Sequence, residues 1–398
     1  MIKTRAYIMK SLNRLTLTAC MALLPISQTA SANALEIQIA YLGFEADHGP
    51  VLSNILPEPV DAGLRGAELG ISDSNSTGRF LKHQYRLHSL SSPDSASLIA
   101  HAQTLYDQGL RLFVLNLNAD QLRQIATQLP DDTVLINAGS SDNELRSNAC
   151  IPGMLHTLPS RAMLTDALGQ LLASRRWSRW LLLEGNQAED KAYADSLQRS
   201  ADRFGAKIIE RKSWDYDTDL RRTAQKELPP FTQTREYDVV LVADERGDFG
   251  EYVPYNTWYP RPVAGTQGMS PVAWHRVVEA WGAAQLHSRF EKQAGRWMNS
   301  LDYASWAGVR TFAEAVTQTR STDPSTLKAF ILSPEFQLGA FKGRKLSYRP
   351  WSGQLRQPIP LIHPRALVSQ SPQEGFLHPV TDLDTLGYDA SESECQVQ

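Results

Sequence analysis

The sequence predicts a bilobal α/β protein, built from two parallel sheets that each carry their own helices. Short apolar runs alternate with longer helical patterns from Glu36 onward, this alternation occurs in two successive sets, and 398 residues suffice for two domains. Strands that alternate with helices are typical of parallel sheets. We therefore expect two Rossmann-like lobes and a ligand cleft at the carboxyl ends of their strands.

The first set contains four strands and the helices between them. The helical segment that begins at Ser95 places Leu98, Ala102 and Leu105 on one face, and Gly109 supplies its C-terminal stop. The predicted strands are residues 36–44, 83–90, 111–117 and 133–139.

The second set begins with an amphipathic helix at residues 160–177, in which Met163, Leu168 and Leu171 share one side. Its last strand contains a continuous apolar run from Val239 to Val242, as expected for a central strand buried on both faces. After the first helix come a strand at 178–185, a helix at 188–205, a strand at 206–214 and a helix from about Asp219. The last strand covers residues 237–245.

The stretch from residue 251 to residue 268 differs from the rest of the chain. It holds three prolines, three tyrosines and a tryptophan, and proline excludes a regular helix. We expect a loop here, followed by a strand at about residues 262–266. Two helices should follow, at 271–295 and about 303–319, before a tail of strands and loops from Phe341.

These segments give the expected lobe boundaries. Lobe I comprises residues 35–155 and 270–330, and lobe II comprises residues 156–269 and 331–398. In the helix expected at 271–295, the stripe formed by Trp274, Val278, Trp281 and Gln285 is typical of a packed core.

Residues 1–34 have the features of a cleaved export signal. Four basic residues start the segment, an apolar run extends from Leu15 to Ile26, and small residues indicate cleavage near Ala34. The apolar run is shorter than the roughly 20 residues that span a bilayer. We therefore expect the protein in the periplasm. The spacing before Cys20 leaves open whether this cysteine is lipidated.

The charge balance argues against a nucleic-acid partner. The chain has 40 basic and 43 acidic residues, and the first 34 residues contain four of the basic residues and none of the acidic ones. A mature chain would therefore carry 36 basic against 43 acidic residues. A net negative protein does not provide the basic surface that nucleic acids require.

Two cysteines, Cys150 and Cys395, remain after cleavage. An even pair in an exported protein is more often bonded than free, so we expect a disulfide between them. Cysteine and histidine show no metal-ligand spacing, and we expect no metal site.

The sequence contains none of the common enzyme signatures. A nucleophile elbow, a phosphate-binding loop, a zinc-protease motif and a dinucleotide fingerprint are all missing from it. We therefore expect no catalytic residues, no required cofactor and a binding protein rather than an enzyme.

Polar residues follow several predicted strands. Asn116 and Asn118 follow the third strand and Ser140 and Ser141 the fourth, where small polar groups suit a ligand carboxylate near a helix N-terminus. Helix capping without a ligand is the alternative at each of these positions. In the second set, the corresponding candidates are Lys191 and Asp244.

Late segments of the chain resemble the type I periplasmic binding proteins of the leucine-binding class. The resemblance rests on "RFEKQAGRWMNSLDYASWAGVRTFAEAV" and "FKGRKLSYRP", in which Tyr303 begins a helix and Gly343 precedes a strand. It implies a two-lobed fold with hinge crossovers, a small-molecule ligand, an ABC permease in the inner membrane as partner and a monomeric state.

Four further blocks resemble one subfamily more closely. "AYLGFEADHGPVLSN", "LHTLPSRAMLTDALGQ", "AGTQGMSPVAWHRVVEAWGAAQLHSRFE" and "RPWSGQLRQPI" are similar to ABC-type binding proteins associated with pyrroloquinoline quinone-dependent alcohol dehydrogenase systems. The tail "LDTLGYDASESEC" resembles the same subfamily and fits a cysteine that pairs with Cys150.

Only some of the ligand contacts of the leucine-binding class have matching residues in this sequence. Ser140 and Ser141 match the serine and threonine groups that bind an amino acid's carboxylate. Asn116 and Asn118 replace such groups after the third strand. Recognition of an ammonium group is open, because the last loop holds the pair "TQ", Thr266 and Gln267, in place of an acid.

The subfamily instead implies a solute of quinoprotein alcohol metabolism, including the quinone cofactor itself as bound ligand. For such a planar anion we expect aromatic and guanidinium contacts from Tyr255, Trp258 and Arg261. Two alternatives stay open: a ligand sensor or accessory factor for the dehydrogenase, and a binder of branched-chain or other amino acids.

Overall fold

The computed structural model describes residues 35–47, 58–215 and 220–395. The predicted signal segment, its cleavage site and Cys20 lie outside these residues, as does the predicted start of the helix near Asp219.

The first lobe is built on a five-stranded sheet in the order β2-β1-β3-β4-β5, in which all neighbours are parallel. The lobe contains the four predicted strands and adds β5, which was not predicted. Its elements are β1 (Leu35–Phe44), α1 (Leu64–Leu81), β2 (His83–Ser92), α2 (Ser95–Asp107), β3 (Leu112–Asn116), α3 (Ala119–Gln128), β4 (Val134–Asn137) and β5 (Leu155–His156).

The second lobe contains a four-stranded parallel sheet in the order β7-β6-β8-β9, which confirms the second set. Its elements are α4 (Arg161–Ser174), β6 (Arg179–Glu184), α5 (Ala188–Phe204), β7 (Lys207–Ser213), α6 (Leu220–Phe231), β8 (Val239–Ala243), β9 (Val263–Gly265) and β10 (Ser270–Pro271).

The rest of the chain adds three helices and two small antiparallel sheets, with strand orders β10-β14-β15 and β11-β12-β13. The elements are α7 (Ala283–Ala294), α8 (Ser300–Thr319), α9 (Pro324–Ile331), β11 (Leu338–Gly339), β12 (Lys345–Tyr348), β13 (Leu355–Arg356), β14 (Ile359–His363) and β15 (Ala366–Ser371). Across the described part of the chain, the helices are too short or too polar to span a membrane.

Both parallel sheets are covered on their two faces, because successive side chains of a strand point to opposite sides. In β1, Ile39 and Tyr41 enter one buried cluster, whereas Ala40 and Leu42 enter another. Strand β8 divides its residues between two clusters of the second lobe in the same way. The continuous apolar runs of the sequence are therefore explained by burial on both faces.

The helix predicted at 271–295 is correct only in its second half. Residues between Pro271 and α7 are irregular, and Trp281 and Gly282 both adopt left-handed backbone conformations, with φ of 56° and 83°. Two such residues in succession cannot continue a right-handed helix. The expected stripe is therefore not helical, although Trp274 and Val278 are buried as core residues.

Residues after α9 contribute to both lobes. Leu338, Leu346 and Leu355 belong to a core cluster of the first lobe, whereas Ile359 and Leu361 belong to one of the second. The lobe boundaries drawn from the sequence stay a prediction, and we propose that lobe I also includes residues 332–356.

Helices α1 and α8 approach each other closely through glycine. A methyl group at Gly66 would overlap the backbone carbonyl of Asp302, and one at Gly70 would press on Val309. Glycine inside a helix costs about 1 kcal/mol relative to alanine. The close crossing requires it here, because no larger residue fits between the two backbones.

We expect Gly66→Ala to destabilise the protein by about 2 kcal/mol despite its better helix propensity, because overpacking a close contact costs about 1–3 kcal/mol. Urea unfolding followed by circular dichroism measures this change. Gly339→Ala is the matched control, since no described residue beyond its chain neighbours has an atom within 4 Å of the added methyl group, and it should change stability by less than about 0.5 kcal/mol. A stabilised Gly66→Ala variant would contradict the packing argument.

Candidate functional site

The candidate site is a cleft between the two lobes, with a volume of about 600 Å³. Its walls are the loops that follow β3 and β4 in the first lobe and β6, β8 and β9 in the second. The carboxyl ends of both parallel sheets thus face one space, which is where open α/β sheets bind ligands.

Arg161 lies at the base of this cleft as the first residue of α4, and its side chain is 8% exposed. It forms a bidentate pair with Glu245, with Nε–Oε1 and Nη2–Oε2 distances of 2.9 and 2.7 Å. Its Nη1 donates to Asp142. Burial disfavours ionisation of Asp142, but the Arg161 guanidinium outweighs this and holds the pKa of that carboxyl below its usual range.

A buried acid stabilises the loop that contains Glu245. Asp190, in the first turn of α5, accepts hydrogen bonds from the backbone N–H groups of Glu245 (2.7 Å) and Gln187 (3.2 Å). Burial, with the nearby carboxylates of Asp244 and Glu245, raises the pKa of Asp190 to about 6. The hydroxyl of Tyr193 also lines the cleft, and no hydrogen bond to it is found among the described residues.

The first-lobe wall of the cleft is lined by three of the predicted ligand residues, Asn118, Ser140 and Ser141. The hydroxyl of Ser140 donates to Asp142 (2.9 Å), and Asn118 forms a capping box with Gln121 at the start of α3. Within the described structure, neither the hydroxyl nor the backbone N–H of Ser141 has a partner, so this residue can donate to a ligand.

Thr266 and Gln267 line the second-lobe wall. The Thr266 hydroxyl accepts from the Asp244 N–H (3.0 Å) and donates to the Val242 carbonyl (3.2 Å), so its hydrogen bonds are used within the lobe. The Gln267 side chain has no hydrogen-bond partner among the residues described here, and its amide is free to contact a ligand.

Asp244 borders the cleft, but its carboxylate is fully engaged. It accepts four backbone N–H groups at 2.6 to 2.9 Å, from residues 247–250 of the loop that follows it. This side chain organises the loop, and the next residue, Glu245, presents its carboxylate to the cleft instead.

Five predicted ligand residues do not line this cleft. Asn116 donates to the Tyr41 hydroxyl and the Ala62 carbonyl, both at 3.1 Å, beside a smaller cavity. Lys191 is exposed on α5. Tyr255, Trp258 and Arg261 line a separate groove of about 760 Å³.

That groove lies on the other side of the turn that follows β9. Thr266 and Gln267 face the cleft, whereas Val263, Gly268 and Met269 line the groove. Arg261 is held away from the cleft by hydrogen bonds to the Tyr237 carbonyl and to Glu236, each at 2.9 Å. The contacts predicted for Tyr255, Trp258 and Arg261 therefore do not fall in the cleft between the lobes.

Among the charged residues that line the cleft, only Asp244 is a ligand residue predicted from the sequence. Acids after β4 and β8 were visible in "SSDNE" and "ADER", but the pattern could not indicate which side chain faces inward. Five carboxylates and one guanidinium line the cleft, which makes it negative overall. They are Glu58, Asp142, Glu189, Asp244, Glu245 and Arg161.

The described residues contain no group of three metal-ligating side chains suited to a metal ion. The cleft instead combines an acidic floor with neutral donors on its first-lobe wall. Such a combination can hold the positive group of a solute at the acids and its polar or negative group at Ser141.

No protein-family model matches the chain, and no curated protein matches it either. Solved structures do. A branched-chain amino acid ABC transporter periplasmic ligand-binding protein from Burkholderia xenovorans superimposes with a TM-score of 0.69 and 13% identity, covering 91% of this chain and 99% of that one.

Two other similar structures have different ligands in their descriptions. One is a leucine-, isoleucine-, valine-, threonine- and alanine-binding protein from Brucella ovis, with a TM-score of 0.65, 12% identity and coverage of 92% and 98%. The other is an ABC transporter solute-binding protein from R. palustris in complex with benzoate, with a TM-score of 0.64, 10% identity and coverage of 90% and 99%. Likeness at such identities establishes the fold, so the chain has the two-lobed α/β fold of the periplasmic binding proteins.

Proposed function

We propose that this protein is an exported solute-binding protein that serves an ABC transporter. The observation that carries the proposal is the cleft where the carboxyl ends of two parallel sheets meet, lined by side chains from both lobes. Closure of two lobes over a ligand is the usual mechanism for this architecture. The partner would be a permease in the inner membrane, and the cleft residues would bind rather than catalyse.

The charge of the cleft narrows the ligand class. Arg161 is already bound by two carboxylates, Asp142 and Glu245, and Asp244 is satisfied by its own loop. The five carboxylates of the cleft outnumber its single guanidinium, so the cleft keeps a net negative charge. This charge, together with the donors of Ser141, favours an amino acid or another small solute with a cationic group. The names of the similar amino-acid binders agree with this class.

Pyrroloquinoline quinone is the second ligand to test, and its support is the sequence resemblance. The three residues expected to contact it, Tyr255, Trp258 and Arg261, line the separate groove. An acidic cleft disfavours a tricarboxylate. The same resemblance supports a link to quinoprotein alcohol metabolism and the alternative role of a sensor or accessory factor without a permease.

Location follows from the N-terminal segment. Its basic start, apolar run and small residues near Ala34 support export to the periplasm and cleavage before Leu35. N-terminal sequencing of the protein purified from the periplasmic fraction tests this: a mature chain that starts near Leu35 supports it, and a chain retaining residue 1 contradicts it.

Ligand class is tested by calorimetric titration of the mature protein with basic, neutral and acidic amino acids and with the quinone. We expect an amino acid with a free ammonium group to bind and the quinone to show no saturable heat up to millimolar concentration. Saturable quinone binding that survives Trp258→Ala would place the anion in the cleft and contradict the electrostatic argument. Loss of that binding in Trp258→Ala would assign the quinone to the separate groove.

The role of Glu245 is tested by Glu245→Gln. This variant removes one of the two carboxylates that pair with Arg161, so the negative charge in excess of that guanidinium is lost. A charge-assisted contact is worth about 1.5–3 kcal/mol, so the dissociation constant of the cationic ligand should rise about 10- to 100-fold. Glu374→Gln, at an exposed position away from the cleft, is the matched control and should bind normally. Circular dichroism checks that both variants are folded. Equal affinities in both variants would remove Glu245 from the site.

A further inference from the structure

The last residues of the described chain contact both lobes. Residues 384–392 lie against helices α4 and α5 of the second lobe, and residues 393–395 lie against the loop that follows β4 in the first lobe. We call residues 382–395 the tail segment. Contacts to both lobes can limit how far the two lobes separate, whatever ligand the cleft binds.

The second-lobe anchor is an ionic cluster built around one buried acid. Asp166 on α4 is fully buried and accepts the backbone N–H of Gly387 at 2.9 Å. Arg199 and Arg203 on α5 pair with Asp166, donate to the Gly387 carbonyl at 3.1 and 2.7 Å, and pair with Glu392. Every charge of the cluster is paired, which is the condition for burying Asp166, whereas Glu392 at the edge of the cluster is exposed.

A second buried pair holds the start of the tail segment. Asp384 accepts from Arg349 and Arg356, each at 2.8 Å, and Arg349 also donates to the Leu386 carbonyl at 2.6 Å. Arg349 and Arg356 lie in the segment proposed above for lobe I, so these buried groups hold the start of the tail segment near the crossover between β13 and β14. Detaching it there would expose these charges without partners.

The first-lobe anchor is covalent. Cys395 forms a disulfide with Cys150, with the two Cα atoms 5.5 Å apart. The Ser393 hydroxyl donates to the Arg146 carbonyl (2.9 Å), and the Glu394 N–H donates to the Ser147 carbonyl (2.6 Å). The disulfide fixes the end of the tail segment to the first lobe.

Very little chain lies between the two anchors. Glu392 is paired on the second lobe and Cys395 is bonded to the first, so only three peptide units join them. Three fully extended units span at most about 11 Å. Elsewhere the described chain passes between the lobes after β5, after β10 and after β13.

We propose that the tail segment is a further connection between the lobes, closed by the Cys150–Cys395 disulfide, which limits how far the cleft opens. With both anchors intact, the lobes cannot separate at this edge beyond the reach of three residues. Cutting either anchor removes the limit at this edge, whereas the contacts of Asp384 near the β13–β14 crossover remain. The cleft of the ligand-free protein should then open more widely. A disulfide that only stabilised the fold would change the melting temperature and not this opening.

Small-angle X-ray scattering of the ligand-free mature protein tests the proposal. Cys150→Ser/Cys395→Ser should increase the radius of gyration relative to the parent. The Arg199 guanidinium also lies over the Tyr388 ring, 4.3 Å from its centroid. Tyr388→Ala/Glu392→Gln removes this contact and the Glu392 ion pairs, which are the second-lobe contacts nearest Cys395, and should give a similar increase. The quadruple variant should show no further increase, because both changes cut the same connection. Glu374→Gln is the matched control and should leave the radius unchanged.

Mild reduction of the folded parent protein supplies the same comparison without mutation, should the cysteine variants not fold. The reduced parent should match the cysteine double variant, with the fold checked by circular dichroism. A lower melting temperature with an unchanged radius of gyration in the reduced parent would overturn the proposal, because the disulfide would then only stabilise the fold. This outcome is separate from ligand binding, which is measured independently.

Discussion

The buried guanidinium of Arg161 constrains the whole cleft. It joins the loop after β4, through Asp142, to the loop after β8, through Glu245. A guanidinium that is 8% exposed is tolerated only when its charge is matched and its donors are used. The two loops, and with them the two sheets, are therefore held at the separation that this one side chain can bridge.

Much of the fold could be predicted from apolar periodicity alone. Strands β1, β3, β4, β6 and β8 are buried runs, and a buried parallel strand carries its signal within its own few residues. The irregular segment before α7 was mistaken for helix, because its stripe of buried Trp274 and Val278 imitates helical spacing. Burial there is set by the surrounding fold, and local spacing does not record the left-handed turn at Trp281 and Gly282.

The sequence indicates which loops line the site but not which of their side chains face it. The loops after β3, β4, β8 and β9 do line the cleft, because topology brings the carboxyl ends of the strands together. Asp244 and Glu245 are adjacent acids in the sequence. Only the folded loop shows that the Asp244 carboxylate accepts backbone N–H groups of its own loop. The aromatic residues near Trp258 were assigned to the cleft for their chemistry, whereas the turn after β9 places them behind its wall.

One short segment of the first lobe connects the cleft to the tail segment. At its start, Asp142 and Asn143 contact the second lobe through Arg161 and Ser196. At its end, Ser147 and Cys150 contact the tail segment. The contacts at the start are hydrogen bonds and an ion pair, whereas the contact at the end is covalent. Opening should therefore break the contacts at Asp142 and Asn143 first and pivot near Cys150, so that the mouth of the cleft moves more than the edge held by the disulfide.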